Sequence, residues 1–344
     1  MINSMSHKRK ISVIINNYNY ASFIAAAIES ALNQSYQNIE ILVVDDGSTD
    51  ESRKIILSYG DKIKALFKSN GGQASAFNLG LSNATGEIII FLDSDDVLLP
   101  NCLEEVSQSF EVDEGIVCTR WYLEHIDQDG HKLNSTNPPQ GVVVPTGDLS
   151  EQILHNGWRF VTPPTSGNAF LKSCLDDFFP IPGEMTRCAD VYLFANTAVR
   201  GRIQFIESVL GAYRQNLVNA SHHLFSRKKV YSEILASDIT DQSLVSFFST
   251  NPKDSVPNRN RWSFVGDEVL RRILLKFSRS DFSQEKIYPP IEMRSFFASH
   301  TLLKNIKYLI GMSFVFLAPT EKIAFWGAGI LLKKHNLWGS KRFI

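Results

Sequence analysis

The sequence predicts an α/β fold built on a mostly parallel central sheet flanked by helices. Short, continuously apolar strands alternate with amphipathic helices through residues 11–92, and polar clusters fall at the strand ends. Residues 11–15 (ISVII) form the first β-branched run. Residues 21–32 follow as a helix with Ile24, Ile28, Ala31 and Leu32 on one face. Residues 39–44 make the second strand, which ends in Asp45-Asp46-Gly47. There Ser48 and Glu51 have the spacing of a capping box for the next helix. Residues 63–67 are the third strand, 73–82 a helix, and 88–92 a fourth strand running into Asp93-Ser94-Asp95-Asp96. Strands that are apolar throughout bury both faces, as parallel strands covered by helices do. Ligands of such sheets sit beyond the carboxyl ends of the strands, where residues 16–19, 45–47 and 93–96 all lie.

Residues 125–145 are polar and rich in Pro and Gly, which suits a loop or hairpin, and residues 158–213 read as a continuation of the same domain. After about residue 221 the composition becomes basic and helical, with amphipathic stretches at 228–248 and 265–277. The expected organisation is a polar lead (1–10), an α/β domain (11–221) and a mainly helical C-terminal extension (222–344). A 344-residue chain with 44% hydrophobic and 21% charged residues has ordinary globular composition. Its net charge of -1 argues against a general nucleic-acid binder, so no nucleic-acid partner is expected. The four cysteines are far apart and read as reduced core thiols, which suggests neither a zinc site nor a disulfide framework. Residues 1–10 lack the apolar stretch of a signal peptide, and no run of about 18 apolar residues occurs. A cytoplasmic location is therefore expected.

The chemistry concentrates at the strand ends. Asp93, Asp95 and Asp96 repel one another unless a cation or hydrogen-bond donors neutralise them. Hard oxygen ligands at such a point suit a divalent metal, Mg²⁺ or Mn²⁺, which would hold a diphosphate. The same residues would also serve as an acidic turn before the helix that begins near Pro100. Asp45 and Asp46 could accept hydrogen bonds from a nucleobase or ribose, or simply form a strand-to-helix turn. Asn70-Gly71-Gly72-Gln73 is a glycine turn whose backbone N–H groups could approach phosphate.

Taken in order, residues 13–19 (VIINNYN), 43–48 (VVDDGS), 72–80 (GQASAFNLG), 85–87 (TGE) and 91–96 (FLDSDD) resemble the family 2 glycosyltransferases, over roughly residues 10–221. The resemblance implies a GT-A fold with a Rossmann-like nucleotide-binding half and an inverting transfer from a nucleotide-diphosphate sugar to a hydroxyl acceptor. It places Tyr18 and Asp46 at the nucleobase, with Asn16 on the same strand end and Asp45, Gly72, Gln73 and Ser94 on the donor side. Asp93 and Asp95 correspond to the family's DxD pair, Asp95 being the better metal ligand. Asp190 stands where the family carries its catalytic base, although an Asp before an apolar helical run is also a good N-cap; one residue can be both. Thr165, Ser166, Gly167 and Asn168 match a segment lining the acceptor side. Residues 211–214 match a tyrosine–arginine pair that closes the domain.

The chain departs from the family pattern at several points. Asn16 replaces the usual proline, Phe77 stands where many members have arginine, Ala189 removes the first carboxylate of a common pair, and Asn216 replaces a histidine. Two apolar runs, 309–317 and 323–326, precede Lys333, Lys334, Lys341 and Arg342. Residues 308–342 therefore suit either a membrane interface with a glycan or lipid-linked acceptor, or two ordinary helices packed on the domain. A catalytically silent sugar-nucleotide-binding subunit would show a damaged metal motif or no base, and neither is seen. A nucleotidyltransferase would need a glycine-rich basic loop after the first strand, and Asn16-Asn17-Tyr18-Asn19-Tyr20 is unlike one.

Overall fold

The computed structural model describes residues 8–156, 158, 160–215 and 227–250. The helix expected at 265–277 and the apolar tail at 308–342 lie outside these residues. In chain order the elements are β1 (Ile11–Asn17), α1 (Ile24–Leu32), β2 (Ile39–Asp45), α2 (Ser52–Leu57), β3 (Lys64–Phe67), α3 (Gln73–Asn83), β4 (Ile88–Asp93) and β5 (Val97–Leu98). Then follow α4 (Cys102–Ser109), β6 (Ile116–Ile126), β7 (Lys132–Asn137), α5 (Ser150–Asn156), β8 (Asn168–Leu171), α6 (Lys172–Asp176), α7 (Ala189–Ala198), β9 (Arg202–Arg214) and α8 (Arg227–Thr250). The sheet-bearing compact unit includes the described residues up to Leu154, from Trp158 to 215 and from Leu235 onward.

The strands form one sheet in the order β3-β2-β1-β4-β8-β6-β9-β5, with β7 paired to β6. The first four are parallel, and β8 runs antiparallel between β4 and β6. The 125–145 stretch resolves into the β6–β7 hairpin. One face of the sheet packs Val13, Ile15, Ile90 and Leu92 against Ile24 and Ile28 of α1. On the other face Phe91 stacks on Phe77 of α3 at 4.3 Å and lies 6.2 Å from Phe170 of β8. Phe77, at the family's arginine position, is thus a core aromatic that is fully buried. The close approach of α3 depends on Gly80, where an added Cβ would lie 2.3 Å from Ile14 Cγ2.

The capping box expected at Ser48 and Glu51 does not form. Helix α2 starts later, at Ser52, whose N–H donates to Asp50 Oδ1 at 3.0 Å. Ser48 donates instead to the Asp45 carboxylate, because the positive φ of Gly47 (+78°) folds the chain back on that strand end.

At the opposite end of the sheet, Glu40 gathers the starts of three segments. Its carboxylate accepts from Ser12 Oγ (2.5 Å), the Thr85 N–H (2.6 Å) and Lys10 Nζ (3.0 Å). Partial burial opposes ionisation, but these donors overcome it and lower the Glu40 pKa to about 2. A depressed carboxylate stabilises the fold above its unfolded pKa of about 4.3, and that contribution is lost as pH falls towards the folded value. Glu40→Gln should therefore lower the melting temperature at neutral pH, and the gap to wild type should close as the pH drops towards about 2 in thermal melts.

Candidate active site

The sheet order 3-2-1-4 reverses direction between β1 and β4, so a crevice opens beyond their carboxyl ends. The register sets Asn16 beside Asp93 across this seam, and Asn16 Nδ2 donates to Asp93 Oδ1 at 3.0 Å. A proline at position 16 could not make this bond, so the departure at Asn16 adds a tether to the acidic loop. Tyr18, just past β1, is 45% exposed. Tyr20 is partly buried and faces the acids. Burial, then Asp95 and Asp93, push its phenol pKa well up.

On the β2 side both aspartates are buried and well bonded. Asp45 accepts from Asn17 Nδ2 at 3.0 Å, from Ser48 Oγ, and from the Ser48 N–H at 3.3 Å. Asp46 accepts from the N–H groups of Gly71 (2.9 Å) and Gly72 (2.7 Å) and from Lys68 Nζ (2.5 Å). Those two glycine amides thus bond to Asp46, which makes this carboxylate the anchor of the 70–72 turn. Gly72 cannot be exchanged: its φ is +84°, and a Cβ would sit 2.5 Å from the Thr186 carbonyl oxygen.

Gln73 then joins two parts of the site. Its Oε1 accepts from the Ala189 N–H at 3.0 Å, and its side chain lies close enough to the Asp93 carboxylate to offset part of the effect of burial on that acid. Asp190 lies in the first turn of α7, and its Oδ1 accepts from the Val191 N–H at 2.9 Å. The N-cap position itself is held by Cys188, at φ 59° and ψ 31°. Asp190 is therefore one residue inside the helix, partly exposed, and favourably placed against the helix dipole.

The acidic loop is held from behind. Asp96 is fully buried; its Oδ2 accepts from Ser166 Oγ at 2.6 Å and its Oδ1 from the Arg214 N–H at 2.9 Å. The Ser166 hydroxyl also accepts from the Asp93 N–H at 3.1 Å, and Thr165 beside the Asp93 carboxylate offsets part of the effect of burial on it. Asn168 Nδ2 donates to the Pro164 carbonyl at 2.7 Å. The Arg214 guanidinium donates to the carbonyls of Asp95 (2.9 Å), Asp127 (3.0 Å) and Gln128 (2.8 Å). Burial, followed by the charges of Asp95 and Asp93, raises the Asp96 pKa well above the carboxylate range. Burial also raises that of Asp93. Such an environment favours a bound cation.

Asn16, Gln73, Asp93 and the start of α7 are thus brought together at one crevice. The 165–168 segment is buried and props the acidic loop, with Ser94 also buried. Sequence reasoning missed Lys68 as the partner of Asp46, and Tyr20, Asp96 and Arg214 as neighbours and struts of the loop. Among the described residues, one trio of metal-capable side chains converges, Asp127, Asp129 and His131 in the β6–β7 turn. The amides of Asp129 and His131 both donate to Asp127 Oδ1 at 2.9 Å, so an Asx-type turn accounts for that cluster.

Comparison with known proteins agrees with this architecture. The sequence model of glycosyl transferase family 2 matches residues 12–169. The chain is 40% identical over 220 residues to an uncharacterised glycosyltransferase of Nostoc sp., spanning 62% of this chain and 67% of that protein. It is 46% identical over 131 residues to an uncharacterised glycosyltransferase of Rickettsia prowazekii, spanning 38% of this chain but only 41% of the relative. In the crystal structure of S. aureus TarS 1–349 with UDP-GlcNAc, 87% of that chain matches 78% of this one, at 19% identity and a TM-score of 0.52. The mannosyltransferase PcManGT from Pyrobaculum calidifontis, solved with GDP-Man and Mn²⁺, matches with a TM-score of 0.51 at 15% identity, over 98% of this chain and 89% of that one. These likenesses show the GT-A fold. The chain belongs to glycosyl transferase family 2 and is a glycosyltransferase.

Proposed function

We propose that this protein transfers a sugar from a nucleoside-diphosphate sugar to a hydroxyl acceptor with inversion, in the synthesis of a surface glycan. The observation carrying this reading is Gln73, whose side chain accepts from the Ala189 N–H next to Asp190 and lies beside the Asp93 carboxylate of the acidic loop. Donor and base would then face each other across one crevice. Tyr18 and the Asp45–Asp46 strand end would receive the nucleoside. Asp93 and Asp95 would hold a divalent cation, which fits the crowding of Asp93, Asp95 and Asp96 and the raised pKa values of Asp93 and Asp96. Such an ion, when bound, supplies positive charge opposite the departing diphosphate. Asp190 would take the proton of the acceptor hydroxyl as that oxygen attacks the anomeric carbon. An ordinary carboxylate suffices, since the hydroxyl is acidified only as its new bond forms. UDP-GlcNAc and GDP-Man in the two related folds support a nucleotide-sugar donor, and Mn²⁺ in one supports the metal. No helix among the described residues is long and apolar enough to cross a membrane. The sequence of residues 308–342 is what supports peripheral membrane contact and a lipid-linked acceptor.

The test is calorimetry of UDP-, GDP- and dTDP-sugars with Mn²⁺ on wild type and Asp95→Ala. One donor class should bind in a metal-dependent way and lose at least about tenfold in affinity in the variant, since Asp95 would contribute charge directly to the ion. A folded wild type that binds none of the three would overturn the donor-site assignment and favour a silent subunit.

A further inference from the structure

Arg120 has no place in this mechanism, yet it places a cation in the core of the domain. It lies in β6, is 0% exposed, and none of its Nε, Nη1 and Nη2 atoms has a hydrogen-bond partner among the described residues. The rings of Phe160 and Phe194 flank its guanidinium at 5.3 and 5.7 Å. The Cys118 thiol beside it is at best a weak acceptor, and burial pulls the guanidinium pKa below its usual value. A buried cation without a counter-charge costs several kcal/mol, whereas a hydrophobic residue of similar volume would cost nothing comparable. Two aromatic faces recover only part of that cost.

Its position relates it to the active site. The register pairs Arg120 with Asn168, and β8 in turn pairs Ala169 with Ile90 of β4, two strands from Arg120 and three residues before Asp93. Two strand spacings are about 10 Å, to which the rise along β4 from Ile90 to Asp93 adds. Phe194 lies four residues after Asp190 on α7, hence on the same helical face as the proposed base. Asn168 is a second orphan: its Nδ2 is occupied by the Pro164 carbonyl, while its buried Oδ1 has no partner among the described residues. Unpartnered donors on Arg120 and an unpartnered acceptor on Asn168 therefore belong to directly paired residues of neighbouring strands. Phe160, which covers the cation, is partly exposed and belongs to a stretch, 160–164, without helix or strand.

Resting on the transferase reading above, we propose that Arg120 and Asn168 form an acceptor subsite for an anionic group. The molecule glycosylated would carry a carboxylate or phosphate, with a neighbouring hydroxyl donating to Asn168. Its negative charge would supply the missing partner of the guanidinium once the Phe160 ring swings aside.

The experiment uses the full chain as wild type, Arg120→Met and Arg120→Lys, with inorganic phosphate and glucuronate as probes in thermal melts and calorimetry at constant ionic strength. Without probe, Arg120→Met should melt at or above the wild-type temperature. One or both probes should stabilise wild type, identifying phosphate or carboxylate as the class, and affinity should fall more than about thirtyfold in Arg120→Met. Arg120→Lys should retain part of it. A lower melting temperature in Arg120→Met, together with probe effects that are nil or equal in both proteins, would overturn the proposal and leave Arg120 as a packing residue. Nucleotide-sugar binding with Mn²⁺ should persist in Arg120→Met. If wild type itself binds no donor, it is the transferase reading that fails.

Discussion

Replacing Asp190 by asparagine should lower kcat by about 10²- to 10⁴-fold, the range by which a general base contributes, while nucleotide-sugar affinity stays within about twofold. Asparagine keeps the side-chain oxygen that now accepts from the Val191 N–H at 2.9 Å, so α7 should retain its first turn. Stability should therefore change by no more than about 0.5 kcal/mol. Because the acceptor proton is lost only in the transition state, the defect belongs in kcat rather than in donor binding. Single-turnover rates beside calorimetry on the same preparation would decide it. Transfer within about tenfold of wild type would place the base elsewhere.

The largest effect on stability is expected at Asp96. Its carboxylate is the buried acceptor for both Ser166 Oγ and the Arg214 N–H, so Asp96→Ala leaves two buried donors unpaired. At about 1–3 kcal/mol for each orphaned group, the loss should be about 2–6 kcal/mol in urea melts. Asp96→Asn keeps an oxygen for Arg214 and should lose less than half as much. If Asp96→Ala proved as stable as wild type, the loop would need another support.

The nucleotide-binding half was legible in the sequence because its signals are local. Apolar runs such as ISVII and IIIFL can only be strands buried on both faces, and each ends where the polar cluster begins. What escaped were partnerships across long separations. Asp96 reads as the third member of an acidic turn, and nothing near it announces Ser166 or Arg214, 70 and 118 residues away. Asp46 reads as a ligand to a nucleoside, yet its immediate partners come from the end of β3 and the turn beyond, through Lys68, Gly71 and Gly72. The capping box at Ser48 failed for a related reason, since a strand-end carboxylate competed for the hydroxyl that a helix start would have used. Arg120 gave no signal at all, because its isolation is a property of burial rather than of spacing.

The Gln73 side chain has an implication for how this enzyme can change. Its amide oxygen accepts from the α7 backbone at Ala189, and the same amide lies close enough to Asp93 to lower that acid's pKa. A substitution that shifts the acidic loop, to suit a new donor, must therefore displace the helix turn bearing Asp190 unless Gln73 yields as well. Epistasis should follow. Donor-side and base-side substitutions made separately should each look harmful and together fall short of their summed cost, and changes at position 73 should come first along a path to new donor specificity.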